Sequence, residues 1–105
     1  MNEIKNCRVE NFKNPITDCP GGGCVEGIGI NIRWQEGAIQ ESGVNGAFVE
    51  TVISAAIQRL DFFQDSPFKC RENAVALTHL ETALLWLEKR TQNRIDRGVE
   101  GTHKI

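Results

Sequence analysis

The chain has 105 residues, a formal net charge of −2 with histidine neutral, and 40% hydrophobic against 25% charged residues. That size gives one small domain with a marginal core, and the composition excludes a disordered chain. The charge excludes a protein that coats duplex DNA with a broad basic field. No apolar run reaches the roughly 18 residues of a membrane span, and the opening MNEIKNCRVENF lacks a signal peptide's apolar stretch, so a soluble cytosolic protein is expected.

The N-terminal third reads as β. Ile28, Ile30, Ile32 and Trp34 alternate with Gly29, Asn31 and Arg33, the period of a strand with one buried face. Cys7 and Val9 form a weaker alternation able to pair with it, and DCPGGGC supplies the connecting turn. The stretch EGAIQESGVNG reads as a loop or a short third strand.

From Asn45 the period becomes helical. Val49, Val52, Ile53, Ala56, Ile57 and Leu60 recur at helical spacing, with Asn45 as cap and Glu50 early, where the helix dipole favours an acid. Pro67 marks the break. A second helix runs from about Cys70 to Asp96, with Leu77, Leu80, Leu84 and Leu87 as a three-four apolar seam and Gly98 and Gly101 as terminators. The expected fold is α+β: a β-rich segment over 1–44 and a long antiparallel helical hairpin with a polar tail over 45–105, in one compact domain. Phe48, Phe62 and Trp86 lie off the main apolar stripes, so the helices are expected to oligomerise.

The cysteines, Cys7, Cys19, Cys24 and Cys70, form no second close pair to complete a zinc site, and a cytosolic setting disfavours disulfides. They are expected to be small buried or turn residues, with no metal and no cofactor. No hydrolase triad, phosphate loop or acid–base pair is apparent, so no catalytic residue is assigned and no enzyme is expected. Around the second helix, with Leu77 at zero, Arg90, Arg94 and Arg97 fall near roughly 220°, 260° and 200°, on the side that carries His79, Ala83 and Trp86. Guanidinium forks bind phosphate and aromatic faces stack on bases, which fits a nucleotide. Spacing alone equally allows a solvated face on which Glu88, Asp96 or Glu100 pairs with the arginines.

The ending RTQNRIDRGVEGTH, with GINIRWQEG, NGAFVETVISAAIQRLDFF and CREN before it, resembles the helical-hairpin domain shared by two groups of phage counter-defence proteins. These are the signal sponges of the anti-CBASS type and of the first Thoeris anti-defence type. The similarity runs from about Ile28 to Ile105, and residues 1–24 carry little of it. It implies sequestration, without cleavage, of a cyclic ADP-ribose isomer made by TIR-domain enzymes, in the host bacterial cytoplasm, by homodimers grouped into hexamers. In that resemblance Phe63 stacks on adenine, Asn73 supplies hydrogen bonds, and Arg90 and Arg94 meet the pyrophosphate. Arg71 and Trp34 are added on chemistry and proximity within the motifs. A separate pocket for cyclic di- or trinucleotides would use Arg97, Thr102 and His103. The rival readings are a sponge for cyclic oligonucleotides alone, a module gripping an acidic protein partner, and an enzyme that cleaves the signal. Neither a membrane nor a nucleic-acid polymer is an expected partner.

Overall fold

The structure is a computed structural model that describes residues 6–102 and residue 104; His103 lies outside the described residues. It is α+β, with a three-stranded antiparallel sheet followed by helices, as the sequence predicts. Two compact units make it up: the chain up to Phe48 together with the tail from Gly101, and Val49–Glu100.

In the first unit, β1 (Cys7–Lys13), β2 (Pro20–Gly27) and β3 (Ile30–Arg33) pair in the order β1-β2-β3. The strand assignment differs from the sequence reading in two places. PGGGC is not the turn but the start of β2, and the β1–β2 connection is residues 14–19. There the Asn14 side-chain oxygen accepts from the Ile16 amide at 2.9 Å and the Thr17 amide at 3.2 Å. Likewise the alternation from Ile28 to Trp34 is not one strand. Gly29, at φ +77°, turns the chain back between β2 and β3 and leaves Ile28 fully exposed.

Register sorts the sheet's two faces, because directly opposed residues in antiparallel strands share a side. Val9, Val25 and Ile32 form one cross-strand row, and Val25 is buried. The other face carries Arg8 opposite Glu26 and Glu10 opposite Cys24. Arg8 lies 3.3 Å from Glu26 and 3.5 Å from Glu10 and donates to Cys24 Sγ at 3.6 Å. These contacts, the Cys24 hydrogen bond first and the two carboxylates after it, hold the Arg8 pKa above the ordinary arginine value. All four cysteines are free thiols; Cys24 is buried and Cys70 exposed.

After β3 comes a short helix, α1 (Ile39–Ser42), where a loop or strand is expected from the sequence. Asn45 does not cap the helix that follows. Its side chain accepts from the Glu36 amide and donates to the Glu36 carbonyl, both at 2.8 Å, and this helix, α2 (Val49–Gln64), begins four residues later with Glu50 in its first turn.

In the second unit, α2 and α3 (Arg71–Asp96) pack on one another as a helical hairpin. Gln64 clamps the connection, donating to the Cys70 carbonyl at 2.9 Å and accepting from its amide at 3.0 Å. Cys70 caps α3, its sulfur accepting from the Asn73 amide at 3.5 Å. Of the leucine seam, Leu77 is buried and Leu80, Leu84 and Leu87 are half-buried. No helix among the described residues is long and apolar enough to cross a membrane.

Candidate functional site

The residues of the second unit expected to bind ligand lie at the two ends of the hairpin's α3. At its start, Asn73 sits one turn inside the cap, half-buried, and Arg71 opens the helix, exposed. Phe63, also half-buried, comes from the last turn of α2, and Ser66 Oγ bonds to the Phe63 carbonyl as the chain turns. Its ring centroid lies 6.2 Å from that of Phe62 at an interplanar tilt of 52°. The Arg59 guanidinium carbon lies 5.0 Å from each of the two centroids.

At the far end Arg90 is exposed, whereas Arg94 is only 8% exposed. The chain leaves α3 through Gly98 at φ +72°, with the Val99 amide bonding back to the Arg94 carbonyl and the Gly98 amide to the Ile95 carbonyl, both at 2.9 Å. Those two bonds satisfy carbonyls that the helix end leaves over. They also bring Val99 and Glu100 back to the Arg94 side chain, which donates to the Val99 carbonyl at 2.9 Å and lies 3.6 Å from the Glu100 carboxylate. Arg97 donates to the Asn93 side chain at 3.0 Å.

The two ends are far apart. α3 is continuous, so at roughly 1.5 Å per residue Asn73 stands about 26 Å from Arg90 and about 32 Å from Arg94 along the axis.

Trp34 and Thr102 belong to the first unit. Trp34 is half-buried and paired with Ala47 in a short parallel bridge; a side chain at Gly46 would lie 2.5 Å from the Trp34 carbonyl carbon. The Thr102 hydroxyl accepts from the Lys104 amide at 3.2 Å. A cleft of about 240 Å³ in the same unit, lined by Phe12, Asn14, Pro20, Gly22 and Glu36 among others, contains none of the expected site residues. Among the described residues no group of three or more His, Cys, Asp or Glu side chains is placed to hold a metal ion.

Two features escaped the sequence reading. The Arg59 stack was readable, since Arg59, Phe62 and Phe63 stand at i, i+3 and i+4. The Gln35 network was not. Gln35 accepts from the Asn45 and Gly46 amides and donates to the Gly37 and Gly43 carbonyls, pinning the loop beside Trp34.

Residues 26–92, which hold the helical hairpin and the end of the sheet, match the family model described as the Acb2/Tad1 hairpin domain. The chain belongs to that family. The match includes Trp34, Phe63, Arg71, Asn73 and Arg90 and stops short of Arg94, Arg97 and Thr102; β1 and most of β2 also lie outside it. Among curated proteins, Thoeris anti-defense 1 of Bacillus phage SBSphiJ7 is 53% identical over 73 residues, which cover 70% of this chain and 51% of that relative. The match thus spans about half the relative's length.

Proposed function

We propose that this Acb2/Tad1 hairpin protein is a phage counter-defence protein that binds a cyclic ADP-ribose isomer made by TIR-domain enzymes of Thoeris immunity and sequesters it intact in the host bacterial cytoplasm. The observation that carries the reading is the division of binding chemistry between the ends of α3 in a chain of this family. One end offers an aromatic ring and an amide, Phe63 and Asn73, suited to a base. The other offers the guanidiniums of Arg90 and Arg94, suited to a diphosphate. Arg71 is a secondary contributor beside Asn73. None of these side chains acts as nucleophile or general base, and holding the signal is sufficient to keep it from its effector.

On this reading two chains share the site, with Phe63 and Asn73 of one copy facing Arg90 and Arg94 of another, and the separation along α3 supports that division. The surface of the hairpin supports such pairing. Leu77 is its only buried apolar residue among those described, while Phe62, Phe68, Leu85 and Trp86 are each at least 60% exposed. Apolar exposure on that scale marks an interface. Homodimers assembling further into hexamers fit this surplus.

A second reading, sequestration of cyclic di- or trinucleotides in addition or instead, draws on the family's shared hairpin and on Arg97 at the close of α3, with Thr102 and His103 as the further candidates. Calorimetric titration with cyclic ADP-ribose isomers and with cyclic oligonucleotides decides between them. Binding of the former supports the first reading, and heat from the latter alone supports the second.

A further inference from the structure

We propose that Arg59 is a positioning residue of the nucleotide site, holding the Phe63 ring so that one face is ready for a base. The inference rests on the reading of Phe63 as the base-stacking residue and extends it to a side chain outside the expected set. At i, i+3 and i+4 on α2, Arg59, Phe62 and Phe63 project from one side of the helix. The guanidinium carbon lies 5.0 Å from both ring centroids, so it occupies the notch between two rings tilted at 52°. Among the described residues no carboxylate pairs with Arg59, in contrast to Arg8 and Arg94. Its partner is the aromatic pair.

A cation over a ring is attracted by the electron-rich face and restricts the ring's rotation. That restriction matters at Phe63, which stands half-buried at the penultimate position of α2, with its backbone already held by Ser66. With the guanidinium on one side of Phe63, the purine stacks on the opposite side, giving a guanidinium–phenyl–purine sandwich. Fixing the ring before the ligand arrives lowers the ordering cost of binding.

A double-mutant cycle tests this. Affinity for the cyclic ADP-ribose isomer that the wild-type protein binds most tightly is measured by calorimetry for wild type, Arg59→Met, Arg59→Lys, Phe63→Leu and each Arg59 variant combined with Phe63→Leu. Arg59→Met is expected to weaken binding between about threefold and thirtyfold, the range a cation–π contact supplies. Arg59→Lys falls between it and wild type, because the ammonium keeps the charge and loses the planar stack. In the Phe63→Leu background the Arg59→Met change has no further effect, since its influence passes through the ring. A melting temperature for Arg59→Met close to wild type shows that the loss is not unfolding; if it falls, the cycle is read from Arg59→Lys. Wild-type affinity in Arg59→Met, or an undiminished loss in the Phe63→Leu background, overturns the inference and leaves the sponge reading standing. No binding of any isomer by folded wild-type protein overturns both.

Discussion

Arg94 and Val99 hold each other twice: the Val99 amide donates to the Arg94 carbonyl at 2.9 Å, and the Arg94 side chain donates to the Val99 carbonyl at 2.9 Å. The charge proposed to meet the ligand's diphosphate therefore also ties down the end of α3. Glu100, 3.6 Å from the Arg94 guanidinium, places a carboxylate where an anionic ligand group would compete for the same donor.

Arg94→Ala should accordingly fail in two measurements. Loss of the hydrogen-bonded charge lowers ligand affinity by about 2 kcal/mol or more in calorimetry. Loss of the bond to Val99 lowers stability by about 1–3 kcal/mol in denaturant unfolding. Unchanged affinity removes Arg94 from the site, and unchanged stability makes its buried contacts incidental.

Glu100→Gln separates competition from support. It keeps the side chain's size and removes its charge, so a ligand phosphate no longer competes with a carboxylate for Arg94 and affinity rises severalfold. A fall in affinity means that Glu100 orients the arginine for the ligand.

Gly98→Ala tests the turn itself. At φ +72° an L side chain costs about 1–2 kcal/mol, visible as a lower melting temperature. If Arg94 depends on this turn to meet the ligand, affinity falls with it; a stable variant shows that the tail adopts another exit from α3.

These contacts also show what the sequence could and could not disclose. The helices were legible because their leucine period, the break at Pro67 and the terminator Gly98 are local signals. The strand boundaries were misplaced because PGGGC has a turn's composition, yet its backbone pairs with β1 residues brought close by the Asn14 turn. Asn45 looked like a helix cap; its side chain finds Glu36, nine residues earlier, a partner that only the folded loop provides. At the candidate site, residue types were readable from the chain. Their division between ends about 26–32 Å apart followed once α3 was seen to be unbroken.

That division predicts complementation between damaged chains. Homodimers of Asn73→Ala and of Arg90→Ala each carry only defective sites. Refolding the two together puts an intact Asn73 opposite an intact Arg90 in mixed dimers, restoring about one site in four if pairing is random. Stoichiometry from calorimetry reads this directly, and no recovery places all contacts within one chain.

The central claim is capture without chemistry, and the most direct measurement is mass spectrometry of what the protein releases. Protein incubated with a cyclic ADP-ribose isomer, freed of unbound ligand and then heat-denatured should liberate that isomer at its original mass and retention time, in near-stoichiometric amount. Recovery of linear ADP-ribose or smaller fragments, or of no nucleotide at all, would contradict the account.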